Sequence, residues 1–140
     1  MPANTQPIFS NLGAIQSSGP QTAANIAMDG TGTVGTIITA NAAGNAAGNF
    51  VQKIIARPLG TNVASVARIF WNNGGVNSTA TNNALVAEYA LPATSVSQSA
   101  QMTGFEIPIN FALPPGHKLL VTLGTAVASG WIFTAIAGQY

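Results

Sequence analysis

What narrows the choice of fold most is the rhythm of the chain. Short stretches rich in Val, Ile, Thr and aromatic residues are cut again and again by Gly, Pro and Asn, and nothing between the cuts holds a helical period. Residues 33–39 (TVGTIIT), 50–57 (FVQKIIAR), 63–71 (VASVARIFW), 85–91 (LVAEYAL), 105–111 (FEIPINF), 117–123 (HKLLVTL) and 131–137 (WIFTAIA) each read as a strand. Residues 25–29 are a weaker eighth candidate. β-branched side chains are stiff about χ1 and suit a pleated surface better than a helix. The pattern therefore predicts an all-β domain of about seven to eight short antiparallel strands, a β-sandwich. Eight strands in two sheets match a jelly roll. An immunoglobulin-like order fits the same pattern, because strand order is not written in it.

Several placements follow from alternation. In 63–71, Ala67, Ile69 and Trp71 share one face and Val66, Arg68 and Phe70 the other, so one face is expected in the core and the other against a neighbouring subunit. In 85–91, Leu85, Ala87, Tyr89 and Leu91 share a face. In 105–111, Phe105, Ile107, Ile109 and Phe111 point one way, while Pro108 cannot donate to a ladder and sends this strand to an edge or a local break. Residues 131–137 are apolar on both faces, which predicts a central strand. The stretches 40–49 (ANAAGNAAGN) and 72–83 (NNGGVNSTATNN) are loops, since Asn and Gly tolerate positive φ.

Residues 1–24 carry three prolines and no sustained period, and read as an extended arm before a single sandwich domain over 25–140. Ile8, Phe9, Leu12 and Ile15 are apolar islands on that arm, suited to docking on another surface. On this reading, deleting residues 1–20 weakens partner binding and leaves the fold intact.

Charge then limits function. The 140 residues hold four basic and three acidic side chains, 5% charged against roughly 25% in an ordinary soluble domain. A net charge of +1 lacks the clustered cations that bind nucleic acid or an anionic membrane surface. No apolar run approaches the ~20 residues of a membrane-spanning helix. The opening MPANTQP has neither the basic start nor the apolar stretch of a signal peptide. Weak mutual repulsion favours association.

Chemistry is as sparse as charge. With no Cys, thiolate catalysis and Cys-bound metals are excluded. A catalytic triad would have to use His117, the one histidine, with Asp29, Glu88 or Glu106, and no G-x-S-x-G elbow is present. His117, after Pro-Pro-Gly, reads as a solvent-facing turn residue. One histidine cannot build a cupin-type metal site, and no acidic loop suits calcium. Residues 30–35 (GTGTVG) lack the lysine and the helix of a phosphate loop and read as a turn. No catalytic, cofactor-binding or metal site, no cofactor and no small-molecule substrate are expected. Trp71 and Trp131 read as core or subunit-interface side chains, and join the arm residues as candidate interface positions.

The stretch from Ala67 to Tyr140, with ARIFWNNGG, LVAEYALPAT, FEIPINFALPPGHKLLVTLGTAVASGW and FTAIAGQY, resembles the head decoration (cement) proteins of tailed bacteriophages. The resemblance covers about half of the chain. It implies a β-rich virion protein, assembled in the host cytoplasm, that binds the major capsid protein on the capsid exterior. Such proteins are commonly trimers at three-fold positions that tie capsomers together, with no catalytic residues. Other virion components (tail, baseplate or minor capsid proteins) and a carbohydrate-binding sandwich with exposed Trp or Tyr remain the alternatives.

Overall fold

The computed structural model describes Ser10, residues 12–42 and residues 47–140. Eight strands form: β1 (Leu12–Gln21), β2 (Gly35–Thr39), β3 (Asn49–Pro58), β4 (Ser65–Asn72), β5 (Asn83–Leu91), β6 (Phe105–Leu113), β7 (Lys118–Leu123) and β8 (Trp131–Gln139). They make two four-stranded antiparallel sheets, β1-β8-β3-β6 and β2-β7-β4-β5. The pairings are nested: β4 with β5, β3 with β6, β2 with β7, β1 with β8. One long hairpin thus rolls up so that every connection except β4–β5 changes sheet. Two interlocked Greek keys of this kind make a jelly roll.

Alternation decides the core. Ile38, Ile69 and Val121 of one sheet meet Ile54, Ile107 and Phe133 of the other, all closed to solvent. Burying each such side chain stabilises the fold by about 1.5–3 kcal/mol before ordering entropy is subtracted. Where alternation fails, a bulge explains it. Ile37 and Ile38 are consecutive yet both fully buried, because β2 carries an extra residue against β7 between Thr36 and Ile38. A similar irregularity at Val86 pairs Leu85 with Phe70, so Leu85 leaves the face shared by Ala87, Tyr89 and Leu91.

The expected places of two strands hold. β8 is central, and β6 lies at an edge with Pro108 in it. Asn110 in β6 takes φ 53, the one positive-φ non-glycine among the described residues, where β6 again slips against β3.

Three expectations are corrected. The arm does not run to residue 24: residues 12–21 form β1, laddered to β8 from Leu12↔Gln139 to Gln21↔Trp131. The sandwich therefore starts at Leu12 rather than at residue 25, and deleting residues 1–20 removes a strand. Ile8 and Phe9 lie outside the described residues. Residues 25–29 are not a strand but part of a segment, 24–34, that crosses the outer face of the second sheet. It is held at one end by Asn25 N–H to Leu123 O (2.7 Å) and at the other by Asn83 Nδ2 to Asp29 O (3.0 Å). On that face of β4, Phe70 is buried within its own chain, while Val66 and Arg68 stay partly exposed.

The two sides of the sandwich differ. At one, the Gln16 side chain of β1 reaches β2, its Nε2 donating to Thr39 O and its Oε1 accepting from Thr39 N–H, both at 3.0 Å. This amide imitates a strand and closes the edge. At the other side, between β5 and β6, Tyr89, Phe105 and Phe111 are only partly buried against the core.

Candidate functional site

Each carboxylate is held locally. Glu106 pairs with Lys53 at 2.9 Å and Glu88 with Arg68 at 2.8 Å, cross-strand contacts on the surface worth about 0–1 kcal/mol each. Asp29 Oδ1 accepts from the Thr31 hydroxyl (2.7 Å) and the Thr31 N–H (3.0 Å), and these bonds hold its carboxyl below the ordinary range. Among the described residues, no three His, Asp or Glu side chains gather where a metal ion would fit.

His117 is not the solvent-facing turn residue expected. It is half-buried, its Nδ1 is shut from water without a partner among the described residues, and its ring lies 5.3 Å from that of Trp71 at a 55° tilt. Proline and glycine before it predicted a turn correctly. What packs against the turn depends on β4, forty-six residues upstream, and no local signal carries it.

Uncharged amides do the polar work. Asn62, 3% exposed, joins three loops. Its Nδ2 donates to Gly60 O and Gly130 O (3.1 Å each) and reaches Thr94 Oγ1 at 3.3 Å; its Oδ1 accepts from the Ser129 and Gly130 N–H groups at 2.9 Å. Its backbone exchanges two bonds with Thr94. At the opposite end, Asn83 Nδ2 donates to Asp29 O (3.0 Å) and Asn77 O (2.8 Å), while its Oδ1 accepts from Asn72 at 2.8 Å. Asn77 in turn donates to the Gly30 and Gly32 carbonyls. Gly30 has φ 75, and a Cβ there would sit 2.8 Å from Asn83 Cβ, so glycine is required at this junction.

The candidate interface residues separate. Leu12 and Ile15 are both exposed on β1, 65% and 69%, but the unbroken ladder to β8 between them turns their side chains to opposite faces of the sheet. Trp131 does not join them: it is wholly buried, stacked on Phe105 at 5.9 Å, and has no surface left for a partner. Trp71 is half-buried on β4, far from β1 in the fold, with its ring against His117. Two exposed aliphatic groupings were missed in the sequence. Met28, Val76 and Leu85 each lie within two residues of the Asp29–Asn77–Asn83 junction, and Leu59, Val63 and Val96 surround Asn62 and Thr94. No family model, curated protein or solved structure matches this chain.

Proposed function

We propose that this chain is a virion structural protein of the decoration type, which binds the outside of a capsid as an oligomer and bridges capsomers without catalysing a reaction. The observation that carries the reading is where apolar surface stays exposed. The sandwich fills its own core, yet keeps aliphatic groups in solvent on β1 and at both ends, on a chain with almost no charge to keep copies apart. Such surfaces suit a protein that works in contact with others. Repetition over a capsid makes weak single contacts cumulative. The major capsid protein is the proposed partner, with Leu12 and Ile15, on opposite faces of the edge strand β1, as the first contacts.

The test is co-sedimentation with purified empty capsid shells. Saturable binding and a raised shell melting temperature are expected. The double substitution Leu12→Ser, Ile15→Ser should weaken shell affinity about a hundredfold, the scale of losing two aliphatic contacts of about 1.5 kcal/mol each. Its own melting should stay within a few degrees, since both side chains face water in the free protein. No sedimentation above background at saturating protein would overturn the reading.

A further inference from the structure

On the outer face of the second sheet, residues 24–34 and the loop after β4 leave an open cavity of about 360 Å³. Its floor is Leu120, with Thr36 directly opposite in the β2–β7 ladder and Lys118 two residues before it, so all three point out of the same face. Val34 and Val76 form apolar walls. The loop wall is fixed: buried Asn72 accepts from the Gly74 N–H at 2.9 Å, and Asn77 is tied to Gly30 and Gly32. A Cβ at Gly74, where φ is 94, would come within 2.9 Å of the Gly116 carbonyl, so the loop is seated on the β6–β7 turn.

Two side-chain donors in this cavity lack a protein partner among the described residues. Lys53 and Arg68 are paired with carboxylates, but the Lys118 ammonium is not, and the Thr36 hydroxyl makes no hydrogen bond. A cation and a hydroxyl over an apolar floor match one chemistry: a single negative charge with two acceptor oxygens on an apolar body. A phosphate dianion would be only half neutralised by the single ammonium. The volume lies at the small end of ligand sites, about 300–1,000 Å³.

We propose that this cavity binds a small monocarboxylate, its oxygens on Lys118 Nζ and Thr36 Oγ1 and its apolar body on Val34, Val76 and Leu120. The proposal stands apart from the capsid reading and survives or fails without it.

Titration of the ¹⁵N-labelled protein with benzoate, benzamide and inorganic phosphate tests it. Benzoate should give saturable amide shifts confined to Thr36, Gly74–Asn77 and Leu120. Benzamide and phosphate should bind about tenfold more weakly, as should benzoate to Lys118→Gln, the scale of one charged hydrogen bond. Thr36→Val should weaken benzoate, and Lys53→Gln should not. Equal affinity for benzoate and benzamide, unchanged binding by Lys118→Gln, shifts scattered over the surface, or no saturation overturns the proposal. Should Lys118→Gln lose its native spectrum, Thr36→Val and the benzamide comparison decide it.

Discussion

The two ends of the sandwich solve one problem in opposite ways. Both must fasten connections that cross between sheets, and both use asparagine. At the Asn62 end a single buried side chain fills its donors and acceptors with three loops. At the Asn83 end the work is spread over Asn72, Asn73, Asn77, Asn82 and Asn83, each with a few bonds and most of them near water. A neutral amide carries no net charge to desolvate, so it can be buried where a carboxylate or ammonium would cost far more. The difference is in concentration: a hub excludes water from every bond at once, whereas a distributed network lets water replace any lost member.

Asn62→Ala should break this contrast most sharply. It strands the Ser129 and Gly130 N–H groups, while the Gly60 and Gly130 carbonyls keep the Thr94 hydroxyl and the Leu59 N–H, and at about 1–3 kcal/mol per orphaned group the loss should be about 2–6 kcal/mol by urea unfolding. A loss under about 1 kcal/mol would mean water enters the hub freely. Asn83→Ala removes the junction between three segments in a half-buried place, with an expected cost of about 1–2 kcal/mol and local loss of amide protection at Asp29 and Asn77. Asn73→Ala loses two exposed bonds, to Asn82 and from the Gly75 N–H, and should stay within about 0.5 kcal/mol of the parent. If Asn73 cost as much as Asn62, the distinction between hub and network would collapse.

The smallest effect is in pH. Asp29, at the Asn83 end, has its folded-state pKa lowered by the Thr31 hydroxyl and then the Thr31 amide. A depressed carboxyl favours folding above its unfolded value of about 3.9, and that contribution fades as pH falls through the folded value. The Thr31 amide resonance should therefore titrate below the ordinary carboxylate range and lose that transition in Asp29→Asn. A transition at or above about 4 would remove the hydrogen bond from the account.

Much of the architecture was legible because it is local. The stretches ending at Trp71, Leu91 and Leu123 announce strands through side-chain shape, and Pro108 announces an edge through a missing N–H. The candidate sites were far less legible. Trp131 and Leu12 look alike as apolar residues beside turns, yet one is wholly buried and the other 65% exposed. Lys118 and Thr36 are eighty-two residues apart, and only the β2–β7 ladder brings them to one cavity.

By itself, the sequence determined the strand class, most of the strand positions, the edge place of β6 and the central place of β8. These follow from alternation, χ1 stiffness and proline geometry within a few residues. Only the tertiary structure decided that β1 is a strand, that residues 24–34 are tied to Leu123 and Asn83, and that Asn62 is a hub. Those depend on groups such as Leu12 and Gln139, or Asn62 and Gly130, which are remote along the chain and meet only when the nested hairpin closes.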